Sequence, residues 1–311
     1  MDQKKCLIID KMHESIVPML QELGFMVDYQ PNINRQEILE KIHLYTGLVV
    51  RSKTAIDAEL IAKATLLRFI ARAGAGIDQL DVESLEQKNI AIINAPEGNR
   101  DALAEHTVGM LLSLFNKIHL ADRQVRNGIW DRESNRGVEL KSKTIALIGY
   151  GYMGKAFAER LTSFGCNIIA YDKYLKNYGT PAVREVSLDD IWENADILSL
   201  HIPLTPETRA MVNNSFIDKF KKPIYLINTA RGEIGPFESI YYGLSTGKIL
   251  GAALDVLENE KIAQLSAEQK RYFDAIAKSD KVILTPHVAG WTFESYEKIN
   301  QVLVAKIKEL T

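Results

Sequence analysis

The stretch TIALIGYGYMGKAFAERLTSFG, Thr144 to Gly165, decides how the rest of the sequence is read. TIALI is a short apolar run rich in β-branched residues, the signature of a strand buried on both faces. KAFAERLTSF places its apolar residues at helical spacing. Between the two stand Gly149, Gly151 and Gly154 in the spacing GxGxxG, after a strand and at the opening of a helix, the context a pyrophosphate cradle requires. The first glycine permits a tight turn, the second lets the backbone approach the anion, and the third lets the helix pack closely. The helix N-terminus then stabilises the bound negative charge. The next strand-like run, CNIIAYD, ends at Asp172, about 20 residues beyond Gly149, where a carboxylate accepts ribose hydroxyls and repels a 2′-phosphate. The pattern therefore favours NAD over NADP. Lys173 beside Asp172 is the feature that points the other way.

Working outward, the runs TIALIGYG, CNIIAYD, ADILSLHI, KPIYLINTA, KILGAALDV and KVILTPHVA are each apolar and each separated by a helix-like or loop segment. That order predicts a doubly wound parallel sheet. A separate series precedes it, CLIID, FMVDYQ, GLVVRS, RFIARA and IAIINA, again with helical segments between. The fold class expected is α/β with two doubly wound parallel-sheet domains. At Asn94 the turn-rich NAPEGNRD interrupts the alternation, and after Gly290 a final amphipathic helix (TFESYEKINQVLVAKIKEL) closes the chain. Residues 1–98 and 290–311 are thus expected to form a flavodoxin-like substrate-binding domain, and 99–289 the nucleotide domain, with hinges near Pro96 and Pro286.

The composition, with 38 basic against 40 acidic residues in 311, gives no sign of a nucleic-acid or anionic-membrane partner. Cys6 and Cys166 lie in apolar runs, which favours buried thiols over a disulfide or metal site, and no metal is expected. The apolar run in MDQKKCLIID is too short for a signal peptide, and no stretch approaches a membrane span, so a cytoplasmic protein is expected.

Three polar residues each follow a strand's carboxyl end, the edge where open parallel sheets place ligands. They are Arg231 after YLINTA, Glu260 after GAALDVLEN and His287 after KVILTP. Singly each has a plainer reading: a surface ion pair, a solvated loop charge, a satisfied strand-end imidazole. Together they are chemically complete. Arginine holds a carboxylate in bidentate fashion, histidine carries a proton near neutral pH, and a neighbouring glutamate favours its charged form. That equipment suits oxidation of a 2-hydroxy acid or reduction of a 2-keto acid.

The ordered segments RAGAGID, strand-GxGxxG-helix, NTARG, GAALDV with ENE, and TPH resemble the D-isomer-specific 2-hydroxyacid dehydrogenases across nearly the whole chain. VVRSKT, LIGYGYMG and WDR bring the resemblance nearest to the branch acting on 3-phosphoglycerate. It implies that Arg231 binds the substrate carboxylate, His287 exchanges the hydroxyl proton, and Glu260 pairs with His287. It further implies NAD contacts from Gly149, Gly151, Tyr152, Met153, Gly154, Asp172, Thr229 and Ala230, with Asp255 on the nicotinamide carboxamide. Substrate contacts would come from Arg51, Arg72, the backbone of Ala73, Gly74, Ala75 and Gly76, Asn99, Arg132 and Trp291. Of these, Arg51, Arg72 and Arg132 would surround a phosphate, Arg132 from a neighbouring subunit through a dimerisation arm spanning Arg100 to Trp130. The stripe Leu103, Val108, Leu111, Leu112, Leu114 and Phe115 looks like more apolar surface than one domain buries, so a homodimer is expected.

The sequence departs from the family at Tyr152, where arginine is frequent, at Lys261 and at Gly235-Pro236-Phe237, and 261–280 looks like a helical insertion. Trp291 is bulkier than the residue usual in the 3-phosphoglycerate branch. The chain ends at Thr311 without room for a C-terminal regulatory domain, so feedback through one is not expected. The activity implied is NAD-dependent hydride transfer at C2 of 3-phosphoglycerate, at the start of serine synthesis. The alternatives are a glyoxylate or hydroxypyruvate reductase and, in another class, a non-catalytic NAD-sensing corepressor-like protein.

Overall fold

A computed structural model describes residues 4–310; Met1, Asp2 and Gln3, in the N-terminal stretch read above for targeting, and Thr311 lie outside the described residues. The chain divides into two units, one running to Arg100 and resuming at Trp291, the other spanning Asp101–Gly290.

The first unit alternates β1 (Lys5–Ile8), α1 (Ile16–Glu22), β2 (Met26–Tyr29), α2 (Arg35–Lys41), β3 (Gly47–Val50), α3 (Ala58–Lys63), β4 (Phe69–Arg72), α4 (Val82–Gln87) and β5 (Ala91–Asn94). Its five strands are all parallel, in the order β2-β1-β3-β4-β5. This is the flavodoxin-type order, with its switch point at β1/β3. Successive strand residues go to opposite faces. Leu7, Leu48, Val50 and Ile70 pack with Ile38, Leu60 and Leu85 of α2, α3 and α4. Cys6, Ile8, Val49, Phe69 and Ala71 pack on the other side with Ile16 and Leu20 of α1.

The chain leaves β5 into α5 (Pro96–Phe115), and the division between the units falls inside that helix, at Arg100–Asp101. The second unit continues through α6 (Ile118–Arg126), β6 (Thr144–Ile148), α7 (Tyr152–Leu161), β7 (Asn167–Tyr171), β8 (Val183–Glu185), α8 (Leu188–Asn194) and β9 (Ile197–Leu200). It is completed by α9 (Asn214–Asp218), β10 (Ile224–Asn228), α10 (Phe237–Thr246), β11 (Ile249–Leu254), α11 (Ala267–Ala277) and β12 (Val282–Leu284). The seven-stranded sheet runs β12-β11-β10-β9-β6-β7-β8, parallel throughout, and reverses its winding between β6 and β9. The sequence reading found six of these strands. It missed β8, a three-residue edge strand with only Val183 buried, too short to carry an alternation signal.

Helix α12 (Phe293–Leu310) returns to the first unit, where Ile299, Leu303 and Ile307, spaced i, i+4, i+8, fill the face shared with Cys6 and Ile93. Lys306 Nζ ties it down on the Asn94 carbonyl (3.0 Å) and Glu97 (2.9 Å).

One expectation is corrected. The apolar stripe of α5 is not surplus: Leu103, Leu111, Leu114 and Phe115 are buried, and the last three pack with Ile145, Leu147, Ile227 and Ala253 of the sheet. The helix breaks at Lys117, which takes a left-handed φ of 51°, and α6 beyond it buries no residue. The exposed apolar side chains instead lie past the break, at Ile118, Val125, Ile129 and Trp130. Cys6 is fully buried and Cys166 half-buried, both as free thiols, and burial pushes the Cys6 thiol up to about 12. No helix among the described residues is long and apolar enough to cross a membrane.

Candidate active site

The glycine loop follows from steric necessity. Gly149 has φ 95°, and a β-carbon there would come 2.4 Å from the His201 carbonyl oxygen. A β-carbon on Gly154 would come 2.2 Å from the Gly149 carbonyl oxygen, so α7 sits directly on the turn. Gly151 is the N-cap of α7, with no side-chain cap and open space where its β-carbon would project. The first-turn N–H groups of α7 are thus left without a side-chain acceptor, as an anion cradle requires. Tyr152 is half exposed on that turn, Met153 is half-buried, and the buried Thr229 and Ala230 follow β10.

Asp172, just past β7, does two jobs. Its Oδ2 accepts from Tyr150 N–H (2.8 Å) inside the glycine loop, and its Oδ1 from Tyr174 and Leu175 N–H (2.9 Å each). Burial works to raise its carboxyl, but these three donors and Lys176 outweigh it and hold it below the usual carboxylate range. Lys173 does not sit beside Asp172 as a free cation, because its Nζ lies 2.6 Å from Glu207 Oε1. A 2′-phosphate would meet the Asp172 carboxylate with Lys173 already paired to Glu207, and Lys176 is the lysine whose charge acts on that carboxylate. Asp172→Ala is therefore expected to weaken NAD binding and narrow the gap between NAD and NADP, by cofactor titration. Unchanged discrimination would remove Asp172 from cofactor choice.

Arg231, Glu260 and His287 all lie in the second unit, on the loops after β10, β11 and β12. The Arg231 carbonyl is held by Asn228 Nδ2 (2.9 Å) and its guanidinium donates to the Ala230 carbonyl (2.7 Å). Gly232 brings this loop against the next, since a β-carbon there would lie 1.9 Å from the Leu257 carbonyl carbon. Only glycine fits, which explains the second letter of the Arg-Gly pair. His287 lies 2.8 Å through Nδ1 from Glu260 Oε1. A carboxylate only accepts, so the proton is assigned to Nδ1 and Nε2 is the nitrogen left for proton exchange. The hydrogen bond from His287 and the charge of Arg231 hold Glu260 below the usual carboxylate range, against the opposing effect of its partial burial.

His287 carries a left-handed φ of 54°, unusual for a residue with a side chain. Its N–H is fixed by the Asp255 carbonyl (2.7 Å) and the Thr285 carbonyl (3.0 Å). The Asp255 side chain, 1 % exposed, accepts from Thr285 Oγ1 (2.5 Å), Val288 N–H (2.9 Å) and Ala289 N–H (2.9 Å). These three donors tie its carboxylate to the loop that bears His287.

Two supports were not visible in the sequence. Gln269, at N3 of α11, donates to Glu258 Oε1 (3.0 Å) and accepts from Asn259 Nδ2 (3.4 Å), so the segment read as an insertion braces the loop leading to Glu260. The second is His201, whose Nε2 lies 2.9 Å from Ser199 Oγ and whose imidazole burial pushes down to about 3. It stays neutral under the glycine loop. Ser-x-His at a strand end carries no sequence signal that separates it from a proton carrier.

In the first unit Arg51 follows β3 and Arg72 ends β4, on neighbouring strands with Val50 opposite Arg72. In the loop Ala73–Gly76, the Ala73 N–H is donated to the Val50 carbonyl (2.8 Å), and no backbone acceptor for the amides of Gly74, Ala75 and Gly76 is found among the described residues. Asn99 lies in the first turn of α5, and its buried Oδ1 has no partner among the described residues. Arg132 is on the exposed segment after α6.

Residues 108–289 match the D-isomer specific 2-hydroxyacid dehydrogenase, NAD binding domain. D-3-phosphoglycerate dehydrogenase of Methanocaldococcus jannaschii is 36% identical over 309 residues, 98% of this chain and 57% of that protein. The chain thus spans little more than half the length of that curated relative. Hydroxypyruvate reductase of Thermotoga maritima is 36% identical over 303 residues, 97% of this chain and 96% of that protein. Among solved structures, a D-lactate dehydrogenase from Aquifex aeolicus complexed with NAD and lactic acid superposes with a TM-score of 0.84 at 26% identity, covering 99% of this chain and 95% of that one. With the second sheet's strand order, the glycine cradle on α7 and this likeness along the full length agreeing, the chain belongs to the D-isomer-specific 2-hydroxyacid dehydrogenases.

Proposed function

We propose that the protein is an NAD-dependent dehydrogenase of D-2-hydroxy acids, running equally as a 2-keto-acid reductase, and that 3-phosphoglycerate is its substrate. The observation that carries the reading is the 2.8 Å His287–Glu260 pair, with the charge of Arg231 acting on the same carboxylate. The nicotinamide, when bound, supplies or removes the hydride at C2. Arg231 binds the substrate carboxylate and draws electron density from the adjacent carbonyl. His287 Nε2 takes the C2 hydroxyl proton in oxidation and returns it in reduction, while Glu260 balances the charge and fixes the ring. Gly149, Gly151 and Gly154 leave room for the pyrophosphate, and Asp172 takes the ribose hydroxyls with its remaining lone pairs.

Favouring 3-phosphoglycerate are the cations Arg51, Arg72 and Arg132 and the name of the archaeal relative. That substrate goes with a place at the start of serine synthesis, in the cytoplasm. A panel of 3-phosphoglycerate, D-glycerate, D-lactate and the keto acids hydroxypyruvate and glyoxylate tests it. The phosphorylated acid should show the highest kcat/KM, and Arg51→Ala or Arg132→Ala should erode its advantage over D-glycerate by about 1.5–3 kcal/mol, the worth of a hydrogen bond to a charged group. A preference for hydroxypyruvate would move the protein to the second reading, which the Thermotoga maritima relative, matched along 96% of its length, supports. Absence of turnover with all of them would favour an NAD-sensing binding protein.

The exposed Ile118, Val125, Ile129 and Trp130 support a homodimer formed through α6 and the segment after it. Sedimentation at micromolar concentration should show two chains, and a monomer would refute it.

A further inference from the structure

Arg51 is a half-buried guanidinium that makes no ion pair and no side-chain hydrogen bond among the described residues. Its surroundings hold it firmly all the same. The Arg51 N–H is donated to Asp10 Oδ2 (2.7 Å), and its carbonyl accepts from Gln79 Nε2. The guanidinium carbon lies 3.8 Å from the centroid of the Trp291 ring and 6.0 Å from that of Tyr296. Those rings brace each other, with centroids 4.8 Å apart, and Tyr296 meets His13 edge-on at 5.6 Å. One turn further on, Asn300 Nδ2 donates to the His13 carbonyl (3.1 Å) and Ser15 Oγ (3.0 Å), so the ladder is anchored at its far end.

The neighbouring cation is not equivalent. Lys53 Nζ donates to the carbonyls of Pro31 (2.9 Å) and Ile33 (2.8 Å), which commits it to closing a loop. Asp10 is committed too, its second oxygen accepting from Lys53 N–H (3.3 Å). Burial lowers the Arg51 guanidinium from its ordinary value, a cost that Tyr296 and Asp10 offset only in part. A planar cation stacked by one face on an indole keeps its N–H donors in the plane at its rim, and an oxyanion that reaches the rim binds in bidentate fashion. Arg51 also stands just past the carboxyl end of β3, beside the switch point between β1 and β3 where sheets of this order bind their ligands.

We propose that Trp291, braced by Tyr296, is a positioning residue that holds Arg51 as a preorganised anion receptor, selecting 2-hydroxy acids that carry a second anionic group, phosphate or carboxylate, away from the reacting carbon. The inference rests on the dehydrogenase reading but not on 3-phosphoglycerate as the substrate. Trp291 fixes the plane of the cation, and so reduces the rotamer freedom lost on binding.

The test measures kcat/KM for 3-phosphoglycerate, D-malate and D-glycerate in the whole protein and in Trp291→Ala, Trp291→Phe, Arg51→Ala and the double variant Trp291→Ala/Arg51→Ala. The first two acids bring a distal phosphate and a distal carboxylate; the third ends in a neutral hydroxymethyl group. Trp291→Ala should lower the ratio of the preferred distal-anion acid to D-glycerate by about fivefold to thirtyfold, the range of a partly desolvated cation–π contact, mainly through KM. Trp291→Phe should restore most of it, and the double variant should show no greater loss than Arg51→Ala, because the effect of the indole runs through the guanidinium. A preference for D-malate that depends on Trp291 sustains the receptor and refutes the 3-phosphoglycerate reading. A preference for 3-phosphoglycerate that Trp291→Ala leaves untouched does the reverse. Additive losses in the double variant, or a wild-type protein that favours D-glycerate, would overturn the proposal. Calorimetric titration with 3-phosphoglycerate and D-malate reads the same receptor without turnover, and equal affinities in wild type and Trp291→Ala would overturn it as well.

Discussion

Replacing His287 with alanine is expected to lower kcat by about a hundredfold to ten-thousandfold, the usual range of general acid–base assistance. The geometry locates that loss in the chemical step. His287 meets Glu260 through Nδ1, on a loop whose backbone is pinned by Asp255 and Thr285. The glycine cradle lies on a different loop, after β6, and shares none of these contacts. NAD affinity should therefore move by less than about twofold, because no hydrogen bond of that cradle involves His287. Equilibrium binding of NAD beside steady-state kinetics separates the two. Turnover within a factor of about three of wild type would take His287 out of the mechanism, and a parallel loss of NAD binding would mean that the substitution had disturbed the fold.

Arg231→Lys is the second large effect expected, although it conserves charge. A lysine presents a point charge, whereas a guanidinium can hold both oxygens of a carboxylate in one plane. Removing a donor of that kind from a site of developing negative charge costs about a hundredfold to a thousandfold. The local backbone makes rescue by adjustment difficult. Gly232 leaves no space for even a β-carbon against Leu257, so the strand end cannot slide to bring a shorter cation into register. In the proposed role the same group binds the carboxylate and polarises the carbonyl, so both kcat and KM should suffer. A lysine variant that changes KM alone would restrict Arg231 to binding.

Much of this architecture can be read in one dimension because its physical causes are local. Both parallel sheets are buried on both faces, so their strands appear as continuous apolar runs, and TIALI followed by GxGxxG announces β6 and α7 before any contact is known. The same locality explains the failures. Strand β8 has one buried residue and pairs only at the sheet edge, so nothing in VRE distinguishes it from a loop. The apolar side chains of α5 look equally fit for a partner or for a core, and only the sheet lying against Leu111, Leu114 and Phe115 shows which. The three donors to the Asp255 carboxylate are likewise invisible in GAALDV, because they come from residues 285 to 289.

Sequence by itself therefore determined the fold class, the order of the strands other than β8, the glycine cradle with its strand-end carboxylate, and the three polar residues placed after β10, β11 and β12, all of which depend on residue type and short-range spacing. The tertiary structure alone decided which charges are committed and which remain available. It paired Lys173 with Glu207, spent Lys53 on two carbonyls, brought Gln269 to the loop before Glu260, and stacked Arg51 on Trp291 from the far end of the chain. Those contacts join residues distant in sequence, and a hydrogen bond or a cation–π contact depends on separations of a few ångströms that only the folded chain sets.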